Sequence, residues 1–541
     1  MLLELKNIVT YAQDRRLLEI DSLKIHQGEK IGLVGRNGAG KSTLLAILAD
    51  ESQPDEGYVH RNCPVAYIPQ LDHTVPGGGQ PDPAVAGELS VSRQYAPFMS
   101  GGELARYKIA VALGEDRPLL LADEPAANLD LDGREILQAK LRAFPGALVL
   151  VSHDRRLLDT VCTTIWELEN GRLTVYPGNY AACLAQKENV RKRQRRDYEQ
   201  YVQKKKCLQS AIADRAARSV STRKTPSRMG NSEARLHKMG NQKAKATLDK
   251  AVKALETRLE KLTVPEKPWE STPASFAFEN TGGLYSKIVV RGDGITKRFG
   301  GRVIFEDAAF SLANGQKAAL CGGNGCGKST LLNMIFRGES SVWVSPNARL
   351  GYFAQEMDDL ELEATILANV MAGSVHNEGD VRSLLARLLF RREDVFKPVR
   401  VLSGGERARV SLARIIAGGA NLLLLDEPTN YLDLSSMEAL EEVLAEYRGT
   451  MLFVSHDRQL IDRIATSLII IDSGKLRLFP GNYRQYLEHE DERNRAAATE
   501  SRMVLEYRLS AILARLSVTG DKEEAARLEK EYRELLPMMK A

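Results

Sequence analysis

Each half of the chain carries three short, largely apolar runs that end in a polar turn. In the first half these are residues 31–34 (IGLV), 119–122 (LLLA) and 148–151 (LVLV). In the second half they are residues 318–321 (AALC), 422–425 (LLLL) and 451–454 (MLFV). Runs of this length bounded by turn residues read as buried strands, and the first of each set is followed by helix-forming sequence. The pattern is therefore strand–loop–helix, the grammar of an α/β fold.

Between the two sets the pattern changes. After Gly178 neither Gly nor Pro occurs until Pro226, and a further stretch to Val264 is broken only by Gly230 and Gly240. Rich in Lys, Arg, Gln, Glu and Ala, these segments predict two helices joined by STRKTPSRMGN at 221–231. A helix over 180–219 spans about 60 Å at ~1.5 Å per residue, more than a globular domain needs, so a protruding helical hairpin is expected. Near the C-terminus Leu505, Leu509, Ile512 and Leu516 are spaced 4, 3 and 4, and a Glu/Arg/Lys-rich segment follows the break at 518–521. That spacing predicts a second, smaller hairpin packed through one apolar stripe.

The chain also contains itself twice. IGLVGRNGAGKSTLL at 31–45 returns as AALCGGNGCGKSTLL at 318–332, and MSGGELAR at 99–106 as LSGGERAR at 402–409. ADEP at 122 returns as LDEP at 425, and VSHDR and PGNY at 151 and 177 recur at 454 and 480. Lys41 and Lys328 are 287 residues apart, whereas Gly101/Gly404, Asp123/Asp426 and His153/His456 are each separated by 303, so the first copy is shorter by 16 between its first two motifs.

The repeated residues carry a common chemistry. GRNGAGKS and GGNGCGKS fit the pattern G-x-x-x-x-G-K-[ST]. Gly35, Asn37, Gly38, Gly40 and Thr43 in one copy, and Gly322, Asn324, Gly325, Gly327 and Thr330 in the other, build a loop whose N–H groups surround phosphates. Lys41 and Lys328 add positive charge, and Ser42 and Ser329 offer a hydroxyl to Mg²⁺. Asp123 and Asp426 close apolar strands and are expected in the Mg²⁺ shell, with Glu124 and Glu427 one residue on to polarise an attacking water. Ser100 and Ser403 read as helix caps, leaving the N–H groups of Gly101, Gly102 and Glu103, and of Gly404, Gly405 and Glu406, bare for an anion. His153 and His456 end strands that aim them at the same phosphates. Gln70 and Gln355 would link the metal site to a helical subdomain. Tyr11 and Phe299, about 30 residues before each lysine, are placed either to stack on adenine or in a core.

Together these motifs resemble the ATP-binding-cassette superfamily, over nearly the whole of both copies. The resemblance implies two cassettes closing head to tail with ATP and Mg²⁺, Lys41 sharing a nucleotide with 403–406 and Lys328 with 100–103, with D-loop aspartates at Asp130 and Asp433. The first copy departs from the second after DEP, where Ala126-Ala127-Asn128 stands in place of Thr429-Asn430-Tyr431.

Composition looks neutral until it is resolved along the chain. The 541 residues hold 75 Lys and Arg against 71 Asp and Glu, a net of +4. Residues 187–261 alone hold 22 basic and 8 acidic side chains, a local +14, so the remainder is at −10. Two connected basic helices form an electrostatic footprint for a polyanion. This linker, the segment RMGNSEARLHKMGNQKAK and the PGNY motifs resemble the ABC-F family. That resemblance implies an α/β fold of two P-loop NTPase (ABC-type) nucleotide-binding domains joined by a long helical hairpin, plus a C-terminal helical extension. The implied boundaries are 1–182, 183–284 with a tip near 219–231, 285–488 and 489–541.

It further implies a cytoplasmic ATPase that enters the tRNA exit site of the ribosome. Its partners would be large-subunit rRNA and the exit-site and peptidyl-site tRNAs, with Arg223, Lys224 and Arg228 at the hairpin tip as candidate RNA contacts. The short 30-residue spacing from Gln70 to Ser100, against 48 from Gln355 to Ser403, lacks the helical arm of general translation factors and is similar to the antibiotic-resistance, or ribosome-protection, branch. A housekeeping factor for stalled ribosomes and a soluble ATPase serving a separate transporter are the alternatives. No run approaches the ~18 apolar residues of a membrane span, and the N-terminus lacks a basic stretch followed by an apolar one, so neither membrane nor secretion is expected. A monomer with intramolecular cassette pairing follows. Six cysteines without metal-ligand spacing read as reduced thiols, and Cys326, inside the second phosphate loop, is either oxidation-sensitive or merely small enough to fit.

Overall fold

The computed structural model describes the chain apart from residues 13–14, 71–80, 82, 90, 93–94, 96–98, 100, 116, 128, 222–230, 266–285, 355–359, 431, 491, 494–506, 508, 515–529 and 533–541, and apart from the side chains of 132, 221 and 231–244. Each copy of the repeat folds as a six-stranded sheet beside a three-stranded antiparallel one. In the first copy the large sheet runs in the order Val65–Ile68, Leu119–Asp123, Ala147–Val151, Lys30–Gly35, Thr164–Glu169, Arg172–Pro177; all its pairings are parallel except the last. The second copy repeats this order with Leu350–Phe353, Leu422–Asp426, Thr450–Val454, Lys317–Cys321, Ser467–Asp472 and Lys475–Pro480.

The unbroken apolar runs follow from burial on both faces. Leu120, Ala122, Leu148 and Leu150 enter one core, while Leu119, Leu121, Ala147 and Val149, pointing the other way, enter a second beneath the three-stranded sheet. The second copy is layered in the same manner around Leu423 and Leu425 on one face and Leu422 and Leu424 on the other.

Register then places the chemistry. Asp123 pairs with Val151 and Asp426 with Val454, so each strand-end carboxylate lies beside the turn that carries the histidine. The helices Lys41–Ala49 and Lys328–Arg337 start directly after Gly40 and Gly327, whose φ values of 101° and 108° lie in the left-handed region. A Cβ at Gly327 would sit 2.4 Å from Ile304 Cγ2, so neither conformation nor space admits a side chain there.

The hairpin is present: Tyr180–Ser221 is one helix of 42 residues and Asn231–Glu260 another of 30, passing straight through Gly240. Ser219 Oγ donates to Asp249 Oδ1 at 2.7 Å, tying the two together near the far end. The first helix begins at Tyr180, as the sequence pattern predicts, and its first turn is anchored by Tyr180 and Cys183, both buried in the first cassette's core. The residues at 222–230, with Arg223, Lys224 and Arg228, lie outside the described part. Of the C-terminal stripe, Leu509 and Ile512 are buried on a helical stretch at 509–514, whereas Leu505 and Leu516 fall outside the described residues.

Candidate functional site

The two copies meet through the elements that follow their strand-end carboxylates. A cavity of about 310 Å³ is walled on one side by Arg36, Asn37, Gly38 and Ala39 of the first phosphate loop. Ser403, Gly405, Glu406, Arg409 and Asp433 of the second copy form the opposite wall. The helix Gly404–Ala417 opens on a capping box: Ser403 Oγ accepts from the Glu406 backbone N–H at 3.3 Å, and Glu406 Oε2 accepts from the Ser403 N–H at 2.9 Å. That closure settles two donors, and Gly405 and Glu406 of the helix's first turn line the cavity. Ser100, the counterpart of Ser403, lies outside the described residues, and the first copy's helix is seen from Gly101 to Gly114, with Gly102 buried and Glu103 in its first turn.

Within each loop the lysine is held by the backbone it serves. Lys41 Nζ donates to the carbonyls of Gly35 at 2.9 Å and Arg36 at 3.1 Å; Lys328 Nζ donates to those of Gly322 at 2.9 Å and Gly323 at 3.0 Å. Burial lowers the Lys41 pKa against the pull of Glu124, Asp433 and Asp123. Asp433 comes from the second copy, so its charge crosses the interface to reach both Lys41 and His153. On the other side Asp130 bears on His456 in the same way.

The carboxylates are strained and desolvated. Glu124 and Glu427 adopt φ values of 48° and 50°, left-handed conformations that side-chain-bearing residues rarely hold, and each is pinned by its N–H donating at 3.0 Å to the neighbouring strand, at Val151 and Val454. Burial, reinforced by Asp123, pushes the Glu124 carboxyl up to about 8. Burial likewise takes Glu427 to about 7, with the Arg134 guanidinium opposing and Asp426 adding to the rise. His153 Nε2 lies 3.4 Å from Glu124 Oε1, and His456 Nε2 lies 3.3 Å from Glu427 Oε1. Burial and the nearby lysine push these imidazoles down to about 4 and about 3, so they face the carboxyls as neutral rings.

A divalent cation fits the same corner. Burial raises the Asp123 and Asp426 carboxyls, and the neighbouring hydroxyls of Ser42 and Ser329 oppose that rise. Asp123 Oδ2, Glu124 Oε1 and Glu427 Oε1 are buried without a hydrogen-bond partner among the described residues, unmet acceptors that a hydrated Mg²⁺ and a water would satisfy. Gln70 follows the strand beside Asp123, its neighbour Ile68 pairing with Ala122, and is exposed; Gln355 lies outside the described residues.

Two residues fall elsewhere than a core. Tyr11 is 43% exposed and Phe299 56%, which removes the core reading for both. Neither lines the cavity. Its wall there is Arg15, Arg16 and Leu17 on the strand Arg15–Ile25, and Arg302 stands at the corresponding place in the second copy, about 3.8 Å from where a Cβ on Gly325 would sit. Arg15 and Arg302 are 287 residues apart, the spacing of the two lysines, and that recurrence was the available signal.

Comparison with known proteins places these features in company. A family model described as ABC transporter matches residues 18–76 and 305–430, and a second model with the same description matches 166–243. The chain is 33% identical to the ribosome protection protein VmlR of Bacillus subtilis, covering 99% of this chain and 97% of that one. It is 34% identical to the erythromycin resistance ATP-binding protein MsrA of Staphylococcus epidermidis, covering 84% and 94%, and 31% identical to the probable ATP-binding protein YbiT of Escherichia coli O157:H7, covering 89% and 98%. Among solved structures an RNase-L inhibitor matches with a TM-score of 0.59 at 20% identity, covering 89% of this chain and 91% of that one, a likeness of fold.

Proposed function

The chain belongs to the ABC-F family of ATP-binding-cassette proteins, and from that premise we propose that it is an ATP-hydrolysing ribosome protection factor. ATP bound between the cassettes draws them together, and the basic hairpin enters the tRNA exit site, displacing antibiotics from the large subunit directly or through shifted tRNA. Hydrolysis then releases the protein. The observation that carries this reading is the hairpin itself: 42- and 30-residue helices with a local charge of +14 over 187–261, rooted on an acidic remainder. The relatives' names supply its object, ribosome protection and erythromycin resistance.

In each site the phosphate loop and its lysine bind the triphosphate, while the opposing helix N-terminus covers the γ-phosphate from the far side. Glu124 or Glu427, its pKa raised by burial, orients a water and accepts its proton as the water oxygen bonds to the γ-phosphorus and the bond from that phosphorus to the leaving ADP oxygen breaks, giving ADP and phosphate. The backbone N–H groups of His153 and His456 hold those glutamates, donating to Oε2 at 3.4 and 3.3 Å. Ser42 with Asp123, and Ser329 with Asp426, would hold Mg²⁺, which neutralises phosphate charge when bound. YbiT, a relative at 31% identity whose name mentions no antibiotic, leaves room for a second reading, a housekeeping factor for stalled ribosomes.

Two experiments test this. The Glu124→Gln/Glu427→Gln chain should co-sediment with ribosomes in ATP, and recovery of that protein free of ribosomes would refute the mechanism. Expression in a susceptible host should raise resistance to at least one large-subunit antibiotic; an unchanged panel transfers the assignment to the housekeeping reading.

A further inference from the structure

The interface between the copies is nearly two-fold. Arg155 Nη2 donates to the Leu434 carbonyl at 3.5 Å and Arg458 Nη2 to the Leu131 carbonyl at 3.2 Å, reciprocal contacts from the residue two places after each histidine. Leu434 and Leu131 open the helices Leu434–Glu446 and Leu131–Ala143 that follow the two D-loop aspartates.

One side chain breaks the symmetry. Arg134, on the helix Leu131–Ala143, donates through Nη1 to the His456 carbonyl at 3.0 Å and through Nε to the Leu129 carbonyl at 3.2 Å. The same Nη1 lies 3.5 Å from Asp154 Oδ2. The guanidinium thus joins the first copy's D-loop helix to the backbone of the second site's histidine. At 303 residues on, the position is Met437, buried at 4% exposure and with no N–H in its side chain to offer His153. A separate observation agrees: Asp154 has Arg134 beside it, but its counterpart Asp457 keeps a buried Oδ2 without a partner among the described residues.

We propose that Arg134 is a positioning residue of one nucleotide site only, clamping the histidine loop of the Lys328 site closed through the His456 carbonyl, a bond with no counterpart on the His153 carbonyl among the described residues. The proposal rests on the reading that one ATP binds at each phosphate loop. The histidine loop of the first site is tied to the other copy differently, through Arg155 and Glu441, so opening the first site leaves the Arg134 bond intact whereas opening the second must break it. Removing that bond should speed release there by about tenfold or more, the ordinary worth of a charge-assisted hydrogen bond.

The test uses the full chain in its Glu124→Gln/Glu427→Gln form, loaded with Mg²⁺ and N-methylanthraniloyl-ATP and chased with excess ATP. Two release phases are expected, assigned to their sites by Lys328→Ala and Lys41→Ala. Arg134→Met, which copies the second cassette's residue, should accelerate the Lys328-site phase about tenfold and change the Lys41-site phase less than twofold. Met437→Arg should slow the Lys41-site phase. A general loosening of the fold would move both phases together, so equal acceleration, or a Lys328-site phase unchanged by Arg134→Met, overturns the proposal. Absence of any bound analogue would defeat the two-site reading and the proposal with it, a result separable from either kinetic outcome.

Discussion

The strongest link across the interface is the Arg155–Glu441 pair, and its removal has a calculable effect on closure. Arg155 Nη1 donates to Glu441 Oε1 at 2.8 Å and to Gln459 Oε1 at 3.1 Å, with the two charged side chains 9% and 1% exposed. A stranded buried charge costs about 3–5 kcal/mol. Glu441 is not stranded by Arg155→Met, because Arg463 of its own copy still donates to Oε2 at 2.9 Å. The loss is therefore that of charge-assisted hydrogen bonds alone, about 1.5–3 kcal/mol, or roughly 10- to 150-fold in the closing equilibrium. Since two ATP molecules drive one closure, the ATP midpoint should shift by the square root, about 3- to 12-fold. Small-angle X-ray scattering of the Glu124→Gln/Glu427→Gln chain during ATP titration gives that midpoint. A double-mutant cycle of Arg155→Met with Glu441→Gln should show the two losses to be largely shared. Additive shifts, or midpoints within twofold of the parent, would refute the argument.

Other consequences are open to measurement. Burial and the charge of Glu441 raise the Asp457 carboxyl above its ordinary range, so its ionisation opposes folding as pH climbs through the acidic range toward neutral. Asp457→Asn, which keeps the helix cap, should match the parent near pH 4 and exceed it in stability at pH 7 in denaturant titrations. Gly327→Ala places a methyl against Ile304 in a left-handed conformation and should abolish nucleotide binding at the second loop, read by equilibrium titration with the first loop as internal control. Replacing the exposed Lys204, Lys205 and Lys206 by Gln should weaken ribosome co-sedimentation and reduce the magnitude of its log–log salt slope by up to about 3. Chelating Mg²⁺ with EDTA should prevent closure by ATP in scattering measurements, because Asp123 and Glu124 otherwise face the phosphates uncompensated.

Local pattern reached some of this and tertiary context decided the rest. Apolar runs ending in Asp123 and Asp426 specify strands because burial on both faces leaves no polar position, and the glycine spacing specifies the phosphate loops for steric reasons. The left-handed backbone at Glu124 and Glu427 is invisible in sequence: nothing in a glutamate favours it, and only the bonds to Val151 and Val454 hold it there. Tyr11 illustrates the converse, since position along the chain suggested a stacking or core residue while strand geometry leaves it exposed and gives the cavity wall to Arg15 and Arg16. Gly240 suggested a break, yet the helix Asn231–Glu260 continues through it, its propensity cost of about 1 kcal/mol being met by pairing with the other helix. Arg134 has no repeat partner and belongs to no motif, so its place between two copies emerges only when they are folded together.

The root of the hairpin carries a mechanical consequence. Tyr180 and Cys183, in its first turn, share a buried cluster with Leu434 of the opposite cassette. A lever pivoted there and about 63 Å long swings its tip about 1 Å for every degree of rotation. Leu434 opens the helix that follows Asp433, whose charge reaches Lys41, so any rotation of the root that accompanied nucleotide binding would become a stroke many times larger at the far end. The long helix is thus a displacement amplifier, and its gain is set by length rather than by chemistry.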